Sequence, residues 1–260
     1  MTYKNITKKI ILAILPLLSV IFLFVMWIYI SNRNPDFFPT PAMTLERLID
    51  LIKFPVSKIS VFGHIWASLQ RVLIAFGIAA ITGISLGLVM GWNKNINAFI
   101  GPVFEILRPI PPIAWIPLVI LWFGVGEFPK VLLVFIGSFI PIVLNTFTGV
   151  KLVEPIYINV GRVMKANTIQ KLIHIVLPAS VPAIFAGLRS ALSSGWMVVV
   201  AAEMIASRSG VGFLITRGSE SYDVALILCG MIIIGIVGAL LSVILSHVER
   251  WLCPWRVEQK

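Results

Sequence analysis

Four ionisable residues stand inside otherwise apolar stretches: Glu105 and Arg108, three residues apart, Arg189, and Glu203. In a stretch apolar enough to lie in lipid, an ionised side chain is costly; it pairs, or it serves a solute pathway. Glu105 and Arg108, at i and i+3, suit a local ion pair. Arg189 falls mid-helix, about eleven residues past Pro178, where it attracts an anion or locks helix packing through a carboxylate or carbonyl. Glu203, near the far end of the same stretch, reads as gate packing or a structural pair. Trp115, Trp122 and Trp196 either line a pathway or pack, the commoner use of Trp in membranes. Chemistry of other kinds lacks its residues. No G-x-x-x-x-G-K-[ST] phosphate loop occurs, so the chain has no means of hydrolysing ATP by itself. His64, His174 and His247 are scattered without an H-E-x-x-H, and Cys229 and Cys253 form no C-x-x-C. A membrane-embedded enzyme would need clustered His, Asp or Glu; neither catalysis, a metal nor a bound cofactor is expected of this chain.

The elements that must position these residues are membrane helices. Of 260 residues, 58% are hydrophobic and 12% charged, with a mean hydropathy of +0.99. A soluble domain carries about 25% charged residues. Uncharged runs of spanning length cover 10–30, 72–92, 131–150 and 225–245; two further apolar runs, 98–123 and 177–205, carry the isolated charges. About six transmembrane helices are expected, in an all-α bundle. The strict alternation of barrel strands is absent. The first run is too long for a signal h-region and lacks a small-residue cleavage site after it, so it reads as an uncleaved anchor. An N-inside, C-inside topology places Lys4, Lys8, Lys9, Lys94, Lys151, Arg162, Lys165, Lys171, Arg250, Arg256 and Lys260 in the cytoplasm. Arg33, Arg47, Lys53, Lys58, Lys130, Arg208 and Arg217 then lie outside, a modest positive-inside bias. The net charge of +10 is thus topology and lipid headgroup contact, with no clustered basic patch for nucleic acid. The expected division is an N-terminal helix plus outer segment over 1–60, a core over 61–250, and a cytoplasmic tail over 251–260.

Three segments depart from plain anchoring. Residues 41–60 place Leu45, Leu48, Ile49 and Ile52 on one face opposite Glu46, Arg47, Asp50 and Lys53, predicting a short amphipathic helix at the outer interface with Thr44 as its N-cap. Pro109, Pro111, Pro112 and Pro117 break the run at 107–117, because each proline removes a donor and clashes with the preceding turn. Broken backbone at membrane depth must be buried in protein or line a wet cavity, which makes Arg108, Pro109, Pro111, Pro112 and Trp115 pathway or gate candidates. Residues 151–176 are far longer than a turn and keep helical stripes: Val160, Val163 and Met164 in one, Ile169, Leu172, Ile173 and Val176 in the other. Pro155 is expected to start the first piece and Pro178 to end the second. Such a segment either lies on lipid or docks in a partner's groove.

The stretch from Leu107 to Asn145, with R-P-I-P-P-I-A-W-I-P-L, L-W-F-G-V-G-E and a final Leu144-Asn145, resembles the permeases of the nitrate/sulfonate/taurine/bicarbonate ABC importers. The stretch Val176 to Leu192, followed by Trp196 and A-A-E-M-I at 201–205, is similar as well. The resemblance runs from about His64 to the last helix. It implies a type I importer fold in the bacterial inner membrane. A second permease copy, two cytoplasmic ATPases carrying ATP and Mg, and an external substrate-binding protein would complete it. Asn145, Arg189, Trp196 and Glu203 join the pathway candidates.

In this family a Glu-Ala-Ala…Gly motif on a coupling helix docks the ATPase. Aligned here, its Glu falls on Asn159, its two Ala on Val160 and Gly161, and its Gly on Lys165, a departure that puts the docking details in doubt. The implied docking set is Asn159, Val160, Gly161, Arg162, Val163, Met164, Lys165, Ala166 and Asn167. The family's solutes are small oxyanions and sulfonates, with heterocyclic vitamin precursors as an alternative. A small secondary transporter or a membrane scaffold is the alternative of another class; internal repeats, usual in the former, are not found.

Overall fold

A computed structural model describes residues 3–34 and 37–253. Of the tail expected at 251–260, residues 254–260 lie outside the described residues. The described chain is helical apart from turns and one isolated β-bridge, Val56–Ile59. In order come α1 (Tyr3–Arg33), α2 (Pro41–Lys53), α3 (Val61–Trp92), α4 (Lys94–Leu107), a 3₁₀ turn (Pro112–Trp115) and α5 (Ile116–Phe123). Then follow α6 (Glu127–Lys151), α7 (Pro155–Val163), α8 (Thr168–Lys171), a π-turn (Leu172–Val176), α9 (Leu177–Ala206), α10 (Val211–Glu220) and α11 (Val224–Leu252).

Among the described residues, four helical segments are long and apolar enough to span: Val61–Trp92, Glu127–Lys151, Thr168–Ile205 and Val224–Leu252. The run expected as one helix over 98–123 is instead two, α4 and the 112–123 piece, bent by 84°. Counted as one crossing, the pair makes five. α1, Tyr3–Arg33, is a helix of 31 residues that covers the first apolar run. α3 begins eleven residues before the uncharged run at Val72, because His64, Ser68 and Arg71 find partners inside the bundle. α10 fills the connection between α9 and α11 that carries Arg217.

The chain divides into two compact units. One holds Met1–Val61 with Leu214–Ile232, the other Phe62–Phe213 with Ile233–Lys260. In the first, α2 is capped by Thr40, whose Oγ1 accepts from the Met43 amide at 3.2 Å; the expected cap, Thr44, lies inside the helix. Pro41 at the first helical position moves the start upstream. Thr44 and Leu51 are buried while Leu45, Ile49 and Ile52 stay uncovered, as in a helix lying on lipid. Arg47 pairs with Asp223 at 2.7 Å, and the Cys229 thiol donates to the Thr44 carbonyl at 3.3 Å.

The second unit is built on glycine contacts. Gly83, Gly87 and Gly91 of α3 lie on Ile142, Thr146 and Val150 of α6, two helices running in parallel register. A Cβ at Gly87 would sit 2.6 Å from the Cβ of Thr146 and 2.8 Å from the Val143 carbonyl oxygen. Small residues let backbones approach where no hydrophobic effect drives helices together in lipid. Gly77, ten residues before Gly87 on the same helix, has open space around it, and the seam runs on instead to Gly91. α9 runs antiparallel to α6, with Gly149 on Ala183, Gly187 on Asn145 and Gly137 on Val198.

Pro178 does not end a helix, contrary to expectation. The Leu177 amide bonds to the Leu172 carbonyl, so the ladder widens to i→i+5 just where Pro178 would leave an α-bond unmade. The helix passes through the proline and continues to Ala206.

Gly87→Ala is expected to cost about 1–3 kcal/mol of stability through overpacking, while Gly77→Ala is neutral or stabilising by up to about 1 kcal/mol. Thermal unfolding of the two variants in one detergent checks the pair; equal effects would remove the assigned contact.

Candidate translocation pathway and docking site

The break between α4 and α5 is made by its prolines. Arg108 continues the α4 ladder, its amide bonding to the Phe104 carbonyl at 2.9 Å. Pro111 then turns to ψ 136°, the extended geometry a residue before proline prefers, and the chain resumes as the 3₁₀ turn. Pro117 falls within the first turn of α5, where a missing N–H costs nothing. Pro112 packs on Gly137 of α6, where a Cβ would lie 3.5 Å from it, so the irregular backbone leans on protein. Arg108 and Glu105 pair at 3.6 Å on an exposed flank. Pro109 and Pro111 are exposed, and Trp115 is half-buried. Beside the break, Asn97, Gly101 and Glu105 of α4 face Leu144 and Phe147 of α6 across a cavity of about 410 Å³. Asn145 lies one residue from that lining; its side-chain amide donates to the Pro141 carbonyl at 2.8 Å, while the Gly137 carbonyl that Pro141 leaves without its helical donor accepts from Ser194 Oγ at 2.7 Å.

Arg189 pairs with Glu249 of α11, the packing half of the two roles open to it. Glu249 is buried and the arginine remains partly exposed. Trp196 is buried, its Nε1 donating to the Ile234 carbonyl at 3.1 Å. It fills the space over Gly238 and so packs α9 against α11, away from any open surface of this chain.

Glu203 belongs to a cluster that sequence reasoning missed. Its carboxylate is fully buried. It accepts from Arg71 Nη1 at 2.6 Å, from Ser68 Oγ at 2.8 Å and from the Gly212 amide at 3.0 Å. Arg71 in turn grips Glu127 through Nε at 2.6 Å and Nη2 at 2.9 Å. Its remaining donors reach the Ser209 carbonyl and hydroxyl at 3.0 and 2.9 Å. Lys130, counted among the outside cations, is buried in the first turn of α6 and holds Glu127 at 3.0 Å and Ser207 Oγ at 3.0 Å. The Gly210 amide donates to His64 Nδ1 at 3.1 Å. With φ at +114°, and with the Glu203 carboxylate where a Cβ would stand, position 210 admits only glycine. Two arginine-bound carboxylates therefore tie α3, α6, α9 and the 207–212 turn at one end of the unit. The signal in the sequence was faint: Arg71 lay just outside an uncharged run, and its partners lie 56 and 132 residues away.

The opposite end carries the 151–176 segment. Pro155 starts α7 as expected, at its first position. Gly161 is buried, and a Cβ there would meet Ile175 at 2.5 Å and Lys171 at 3.1 Å, so α7 rests on the segment that follows it. Its other face leaves Ile156, Val160, Val163 and Met164 uncovered. The turn closes with Ala166 N bonding Gly161 O at 2.9 Å and Lys165 N bonding Arg162 O at 3.0 Å, a Schellman pair. Lys165 stands at the left-handed position with φ +56°, the conformation glycine serves best. Asn159 and Arg162 are exposed. Asn167 caps α8 in a reciprocal pair with Gln170, both bonds 2.8 Å.

Replacing Arg71 with Met leaves Glu203 buried and uncompensated, and a loss of about 3–5 kcal/mol is expected. Adding Glu203→Gln should recover part of it. Unfolding of the single and double variants measures the coupling, and strict additivity would count against a shared ion pair.

Comparison with known proteins agrees with this geometry. The family described as binding-protein-dependent transport system inner membrane component matches residues 81–257. The taurine transport system permease protein TauC of Escherichia coli is 34% identical over 226 residues, 86% of this chain and 82% of that one. The nitrate import permease protein NrtB of Synechocystis is 35% identical, covering 94% and 90%. The bicarbonate transport system permease protein CmpB of Synechococcus elongatus is 35% identical, covering 92% and 89%. Among solved structures, a permease chain of the inward-facing MetNI methionine ABC transporter superposes with a TM-score of 0.66 at 15% identity, covering 80% of this chain and 98% of that one; at that identity the likeness speaks to fold. An all-helical bundle with a proline-broken crossing, built on the fold of a type I importer permease and matched at this length and identity, is a transporter subunit and not an enzyme: the chain belongs to the inner-membrane permease components of binding-protein-dependent ABC importers.

Proposed function

We propose that this chain forms half of the translocation pathway for a small oxyanion or sulfonate, paired with a second, identical copy. Two cytoplasmic ATPases bind and hydrolyse ATP with Mg, and an external binding protein delivers the solute. The N- and C-termini face the cytoplasm, so α7 lies on the cytoplasmic side and the Arg71 cluster outside. What supports the solute class is the company of taurine, nitrate and bicarbonate permeases; the small secondary transporter and scaffold readings give way to the importer family.

The single observation that carries the ATPase-docking assignment is α7. It is a short helix seated by Gly161 on the following turn, with Val163 and Met164 turned outward among the most exposed apolar side chains of the chain. An apolar helix face with nothing over it suits a partner's groove. Lys165 occupies the place of the family's glycine and adopts the glycine's backbone conformation. The departure in residue type therefore keeps the turn that aims α7, and this supports the alignment of the docking set on Asn159–Asn167. In the mechanism, ATP draws the two ATPases together and α7 moves with them. The motion enters α9 through the π-turn, and the bundle changes the side to which it opens. The cavity beside Asn97, Gly101 and Glu105, next to the proline break, is the part of the pathway this chain would contribute.

Val163→Glu together with Met164→Glu should abolish co-purification with the cognate ATPase while leaving unfolding of the permease unchanged. Retained association would end the docking assignment. Lys165→Gly should stabilise the turn by about 1 kcal/mol, seen as slower amide exchange at Ala166, with ATPase association kept; faster exchange would contradict the Schellman geometry.

A further inference from the structure

The Arg71 cluster has an asymmetry that a purely structural clamp does not require. Its two cations are both nearly buried, with side chains 5% exposed for Arg71 and 7% for Lys130. Glu203, one of their counter-charges, is sealed in and held by four side-chain and backbone contacts. The other, Glu127, keeps 65% of its side chain exposed. It closes the cluster from outside, one residue into α6 and just past the turn through Gly124, whose φ of +72° is a glycine conformation.

What Glu127 occupies is defined by its donors. One carboxylate oxygen takes Arg71 Nε and the other takes Arg71 Nη2 and Lys130 Nζ. Ser207 Oγ stands on the same ammonium, and Ser209 Oγ on the same guanidinium. A guanidinium fork and an ammonium converging on a planar pair of oxygens are the donor set of a small oxyanion, and the two hydroxyls, each accepting from one of the cations, hold them in place. We infer that Arg71 and Lys130, held in place by Ser207 and Ser209, form an oxyanion site at this end of the bundle. Glu127 fills it in the resting state, and the transported anion enters it by exchanging with that carboxylate. The exchange is charge-neutral within the cluster: one anion leaves for water as another arrives, so neither buried cation is ever uncompensated. Glu203 cannot be the group that leaves, since all of its donors come from inside the bundle. This rests on the reading of the chain as an importer of small anions, and gives that solute a place to meet the protein before the cavity beside the break.

Two measurements test it. First, the purified permease in detergent is unfolded thermally in sodium gluconate with added sodium nitrate, for wild type and Glu127→Ala. The variant should lose stability in gluconate and regain it saturably with millimolar nitrate, and the regain should vanish when Lys130→Gln is added. Recovery that follows ionic strength alone, equal with chloride, or no recovery, would overturn the site. Second, in the assembled transporter with its binding protein and ATPase, Glu127→Gln should lower the KM for the anion by about tenfold, the worth of one charge-assisted contact removed from competition, with the maximal rate kept within about twofold. A fall in maximal rate at unchanged KM would assign the cluster to clamping alone. A wild-type transporter that moves no small anion would instead overturn the importer reading, a result the nitrate titration of the isolated permease does not depend on.

Discussion

A guanidinium withdrawn from water inside an apolar bundle is stable only if each of its donors is met and its charge answered. Arg71 satisfies both conditions with two carboxylates and the backbone and hydroxyl of Ser209. Because those partners come from α6, α9 and the turn after α9, no one of these elements can shift without exposing a charge to a poor solvent. The glycine seams further along α3 and α6 depend on that anchoring. They place backbones in contact with little side-chain volume between them, and such a seam has small tolerance for rotation about the helix axes.

The two ends of the second unit are built on different physics. At the Arg71 end, contacts are polar, directional and largely sealed. At the α7 end, apolar side chains are left uncovered and a strained lysine closes the turn. One end resists displacement through charge and hydrogen bonding, and the other offers surface to a partner. α9 joins the two, a helix interrupted by proline at Pro178 and Pro182 and widened at 172–176, yet continuous.

Much of this was readable from residue order, for reasons that are local. Apolar runs mark the spans because lipid demands length without charge, and prolines 109–117 mark the break because proline chemistry acts within one turn. Pro155 started α7 for the same reason. The misreadings share an opposite cause. Thr44 reads as a cap by residue type, yet Pro41 at the first helical position moves the start to Thr40. Pro178 reads as a stop because the wider turn that carries the helix through it leaves no composition signal. The cluster around Arg71 and Lys130 leaves no local sign, because charge is penalised locally while partners such as Glu203 and Ser207 lie far along the chain. Arg189 stood open between two roles that only the position of Glu249 separates. The family's glycine was missed as a residue and kept as a conformation, which only φ at Lys165 reveals.

The π-turn at 172–176 has a consequence for evolution. A turn of that kind holds one residue more than the α-helix it replaces, so it is equivalent to a single insertion absorbed without a loop. The faces of α8 and α9 are therefore offset by that residue, and helical stripes counted across the turn, such as Ile169 through Val176, do not continue onto one side of α9. A relative in which this stretch is one residue shorter would carry an uninterrupted helix with the same two faces restored to phase, and a gap in an alignment at this point would mark a change of mechanics rather than of length.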